Sequence, residues 1–88
     1  MDKVYVVIID DVWDFECTSK FKVFKNYDDA KKYFDSVVSV FKIEHADDYN
    51  SAMSVIEGDE SKGMFTWYEA GTYSQSRFEV TIVEKEVH

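Results

Sequence analysis

The chain has 88 residues, 45% of them hydrophobic and 32% charged, which is one domain's length and a globular composition instead of a disordered one. Eighteen acids against ten Lys and Arg give a net charge of −8, a field that repels nucleic acid and acidic membranes and favours basic partners. The longest apolar run, Val4–Ile9, is six residues, far short of the roughly 20 that a helix needs to cross a bilayer, and Met1-Asp2-Lys3 does not read as the basic start of a secretory leader.

Lys3–Ile9 predicts a first strand. Val4, Val6 and Ile8 face one side and Tyr5, Val7 and Ile9 the other, so the strand is central or has both faces covered. From Asp10 to Cys17 the pattern changes. An extended chain there puts Asp10, Val12, Asp14 and Glu16 on one side, and Asp11, Trp13, Phe15 and Cys17 on the other. Phe21–Phe24 predicts a second strand, in a hairpin with the first. Asn26 then stands as a helix N-cap, with Asp28 and Asp29 in the first turn where the helix dipole favours anions. Ala30, Phe34, Val37, Val38 and Phe41 recur as one apolar stripe of a helix that fades after Ile43.

The acidic segment Glu44–Ser51 reads as a loop and Met53–Glu57 as a strand. Gly58–Gly63 is a turn cluster, Met64–Ala70 a further strand broken by Gly71, and Arg77–Val87 the last one. There is no proline, and no linker or repeat divides the chain. The expectation is a single α+β domain over residues 1–88: a mostly antiparallel sheet of four to five strands in the order ββαβββ, with one amphipathic helix packed on one face.

The charge is uneven. Residues 44–60 hold six acids and no base, whereas residues 20–43 hold six lysines and three acids. A lone Cys17 excludes an intrachain disulfide and points to a reducing cytoplasm; its neighbours Asp14 and Glu16 argue against a reactive thiolate. His45 and His88, in an acidic segment and at the last position, match neither zinc-ligand spacing nor a catalytic triad. Gly58–Gly63 lacks the order of a phosphate loop, and its two acids would repel phosphate. Neither a catalytic residue nor a cofactor is expected.

Two uses remain for the carboxylates. Asp10, Asp11, Asp14 and Glu16 supply hard oxygen donors for a divalent cation, as a binding module or a small metal-dependent enzyme, although their spacing fits no calcium loop. Alternatively Asp14, Glu16, Asp47, Asp48, Glu57, Asp59 and Glu60 form a phosphate-like array, a DNA mimic that occupies a basic groove. Trp67, Tyr68 and Tyr73 flank Gly71 in a segment without clean alternation, and Trp and Tyr are typical interface anchors, although core packing is the favoured reading. Phe34, Phe41 and Phe78 fit core stripes. A homo-oligomer joined through an exposed strand edge is a third possibility.

Two stretches, Val23-Phe24-Lys25-Asn26-Tyr27-Asp28-Asp29-Ala30-Lys31-Lys32-Tyr33-Phe34 and Tyr68-Glu69-Ala70-Gly71-Thr72-Tyr73 followed by Val80–Glu84, go with the opening Val4–Val7. Together they resemble small proteins encoded by phages, prophages and gut-bacterial mobile elements. The resemblance brings no catalytic residues. It implies a context in which small acidic proteins include inhibitors of host defence, such as anti-CRISPR proteins. The reading is therefore a non-enzymatic, cytoplasmic module that binds a basic protein surface and touches neither nucleic acid nor membrane directly.

Overall fold

The computed structural model describes residues 2–13, 16–70 and 76–87. Strand β1 (Asp2–Trp13) pairs with β2 (Glu16–Phe24). Helix α1 (Tyr27–Glu44) and the short helix α2 (Ala46–Tyr49) follow. Then come β3 (Ser54–Glu57), a 3₁₀ turn at Glu60–Lys62, β4 (Met64–Glu69) and β5 (Ser76–Val87). The five strands form one antiparallel sheet in the order β2-β1-β5-β4-β3. The α+β fold, the single long helix and its place after the second strand agree with the expectation from sequence.

Cross-strand register explains the core. Ile9 lies opposite Val80, and Val80 opposite Phe65; Phe78 lies opposite Trp67. These side chains share a face because residues two apart on a strand project alike. The α1 stripe Ala30, Phe34, Val38 and Phe41 is buried against them. Phe41 stacks on Phe78 with centroids 4.2 Å apart and meets Phe65 edge-on. Full burial of each such side chain contributes about 1.5–3 kcal/mol.

Four local expectations need correction. β1 continues past Ile9 to Trp13, because β5 pairs with it along its whole length. β2 begins at Glu16, not Phe21; as an edge strand exposed on both faces it has no alternation to announce it. The segment Glu44–Ser51 contains α2 instead of being wholly loop. Asn26 stands at the N-cap of α1, but its side chain donates from Nδ2 to Asp29 Oδ2, 3.3 Å away, and makes no cap to the backbone.

The two helices lie on the same side of the sheet: Phe41 of α1 and Tyr49 of α2 are in edge contact within the core. Register puts Val4, Val6 and Ile8 of β1, Phe21 and Val23 of β2, and Thr81 and Val83 of β5 on the opposite side. No described helix covers them. Phe21 is 74% exposed and Val23 51%. β1 is thus central in its sheet, as its two apolar faces require; on its second face Val12 is buried at 4%, whereas no described helix lies over Val4, Val6 and Ile8.

Candidate docking surface

Trp13 organises the end of the sheet where the helices turn. Its ring stacks on His45 with centroids 4.7 Å apart and lies 5.5 Å from the ring of Trp67. Its Nε1 donates to Asp11 Oδ1 at 3.1 Å. His45 follows α1 directly, packs on Phe41, and sets Nδ1 3.7 Å from Asp48 Oδ2. Glu16 lies directly across the β1–β2 ladder from Trp13. Glu16 and Asp48, 32 residues apart in sequence, are thereby linked through one aromatic stack, with Glu44 and Asp47 beside it in the chain.

Next to this stack a groove of about 280 Å³ opens between α1 and the β1–β2 hairpin. Ile9 and Phe41 are among its apolar lining, while Asp11, Lys20, Glu44 and His45 supply polar groups. Its apolar floor belongs to the core, and its charged groups carry both signs.

The second acidic group is built by the turn before β4. Asp59 Oδ1 accepts from the Ser61 backbone N–H at 3.0 Å and from Ser61 Oγ at 2.6 Å. The Ser61 hydroxyl is the main reason the Asp59 carboxyl is held below the usual aspartate range; its desolvation opposes this, while the backbone N–H and Lys62 reinforce it. Lys42 Nζ donates to both Glu60 oxygens at 3.2 Å and sits 5.5 Å from the Tyr49 ring centroid. That lysine ties the turn to α2, so Asp47, Asp48, Asp59 and Glu60 belong to the helix side of the molecule. Glu60 is partly neutralised there, as an exposed ion pair with little effect on stability.

The remaining sequence candidates are placed elsewhere. Trp67 is not an exposed anchor: it is 2% exposed, lies in the core, and donates from Nε1 to Ser54 Oγ at 2.8 Å. Tyr68 is half-buried on the opposite side of the sheet, where its hydroxyl donates to Glu57 Oε1 at 2.9 Å. Glu57 is therefore separated from the other acids by the sheet. Asp14, Tyr73 and Gly71 lie outside the described residues.

The proposed cation quartet is divided as well. Asp10 and Asp11 are consecutive on β1 and project to opposite faces. Asp10 accepts from Ser19 Oγ and Asp11 from the Trp13 indole. Among the described residues, no group of three or more His, Cys, Asp or Glu is placed to hold a metal ion. Sequence reasoning passed over His45 as part of the surface, though its spacing four residues after Phe41 continues the α1 stripe.

No protein family, curated protein or solved structure matches the chain. Among the described residues, no helix is long and apolar enough to cross a membrane.

Proposed function

We propose that this chain is a non-enzymatic acidic docking protein. Its helix-side carboxylates, Glu16, Asp47 and Asp48 with Asp59 and Glu60 further along, seat on a basic surface of another protein. The observation that carries the reading is the Trp13–His45 stack, which draws Glu16 of β2 together with Asp48 of α2. Such a surface suits a groove that otherwise holds nucleic-acid phosphates. The resemblance to phage and mobile-element proteins narrows the reading to an inhibitor of a nucleic-acid-binding defence protein, such as a CRISPR effector, in the cytoplasm. Long-range charge speeds such an encounter and makes it sensitive to salt.

The test reverses Glu16, Asp47 and Asp48 to Lys together. All three are exposed, whereas Asp59 holds its own turn and is left intact. Host proteins retained by the natural chain should be released by salt and displaced by added DNA, and the reversed variant should retain none of them. Equal retention by a folded reversed variant overturns the reading.

A further inference from the structure

We infer that the face of the sheet opposite α1 is an interface at which a second copy of this chain seats, sheet against sheet, with the two sets of strands antiparallel. The patch is built in rows by the register: Val23, Val6 and Val83 in one row, and Phe21, Ile8, Thr81 and Met64 in the next. Exposure rises toward β2, where Phe21 is 74% and Val23 51% exposed, and Met64 on β4 is 43% exposed. None of these seven side chains is charged, although the chain as a whole carries −8. Asp10 and Glu79 lie in the next row of the same face, so two copies meet mainly through the two uncharged rows, and the helix-side acids of each point outward.

One feature favours a copy of the same chain over another occupant.

That feature is self-complementarity. A two-fold axis across the strands, level with Val7, Lys22 and Ile82, lays β1 over β1 and β5 over β5. Val6 then meets Ile8, Phe21 meets Val23, and Thr81 meets Val83. At the margin Lys85 of each copy falls over Glu79 of the other, forming two symmetry-related ion pairs. Aligned packing of two sheets about 10 Å apart is an ordinary way to close such a face. Pairing through the β2 edge is opposed by Lys20 and Lys22, whose charges would obstruct an added strand. The inference does not rest on the acidic docking reading, whose residues lie on the other side of the sheet.

Sedimentation equilibrium of the full chain tests it. The expected mass is twice the 10.3 kDa of one chain. Phe21→Lys should give the monomer with an unchanged circular dichroism spectrum, and Val23→Thr should weaken association in the same direction. Lys85→Glu should weaken it at least tenfold, and adding Glu79→Lys should restore it. A natural chain that stays monomeric at millimolar concentration overturns the inference. So does a dimer that survives Phe21→Lys and Val23→Thr together, or a monomer that instead binds phosphatidylcholine vesicles. Failure of the Lys85–Glu79 exchange to restore association overturns the antiparallel register.

Discussion

Trp13 and His45 lie face to face, 4.7 Å between ring centroids and 13° from parallel, which joins the far end of the β1–β2 hairpin to the junction of α1 and α2. Trp13 also contacts Trp67 and donates to Asp11, so it links the core to the acidic surface. Trp13→Ala should destabilise the fold by about 2–4 kcal/mol, toward the lower end because the ring is only half-buried. Trp13→Phe keeps an aromatic face on His45 and should cost less. Urea denaturation of the three proteins ranks them. Equal midpoints for the natural chain and Trp13→Ala would mean that the stack contributes nothing to stability.

Two glycines close the turn between β3 and β4, and they should differ in how they respond to a methyl group. Gly58 has φ +91°, and an added Cβ would lie 2.7 Å from the Met64 carbonyl oxygen. Gly63 has φ +76°, and its Cβ would lie 2.7 Å from Ile82 Cδ1. Left-handed backbone costs an L-residue about 1–3 kcal/mol in either place. At Gly63 the obstruction is the Ile82 side chain, with Cδ1 at 2.7 Å, Cγ1 at 2.9 Å and Cβ at 3.0 Å, so Ile82→Ala, which keeps only the Cβ, should relieve part of the cost of Gly63→Ala. At Gly58 the obstruction is backbone and no side-chain truncation can remove it. A double-mutant cycle on Gly63 and Ile82 should show coupling of about 0.5 kcal/mol or more, and strict additivity would refute the steric account.

The same features show what the sequence discloses and what it withholds. α1 was legible because Ala30, Phe34, Val38 and Phe41 all answer to one buried face. β5 was legible because Phe78 and Val80 alternate with polar neighbours. β2 from Glu16 to Lys20 was not, because it is exposed on both sides and is defined only by hydrogen bonds to β1. α2 has four residues, too few to display a period. Trp67 reads both as an anchor and as a core residue because Tyr68 and Gly71 beside it obscure the alternation; the pair Phe65, Trp67 carries the signal for burial. The acidic surface depends on tertiary contacts such as Trp13 with His45, and no local pattern could bring Glu16 to Asp48.

Asp59 offers a pH test of the turn. Its carboxyl lies below the usual aspartate range, chiefly through the Ser61 hydroxyl. A group whose pKa is lower when folded than unfolded stabilises the fold above its unfolded value and loses that contribution as pH falls through its folded value. The Asp59 contribution should therefore be complete at neutral pH and disappear on the acid side of about pH 4. Carbon-detected NMR of the side-chain carboxyl should give a midpoint below the ordinary aspartate value. Ser61→Ala should move the Asp59 midpoint up. An unmoved Asp59 midpoint would assign the shift to another cause.

The Trp67–Ser54 hydrogen bond sets the last test, because it decides how the β3 edge is held to the core. Trp67 is buried, and its Nε1 donates to Ser54 Oγ at 2.8 Å across the β3–β4 pair. Ser54→Ala removes the acceptor and leaves a buried indole N–H unsatisfied, which should cost about 1–3 kcal/mol. Trp67→Phe removes the donor and should cost about as much, through lost ring volume. In the Trp67→Phe background, however, Ser54→Ala should cost almost nothing further, since no donor remains to be stranded. Urea denaturation of the four proteins measures that difference. If Ser54→Ala costs the same in both backgrounds, the hydroxyl acts through β3 itself and the indole bond does not fasten the edge.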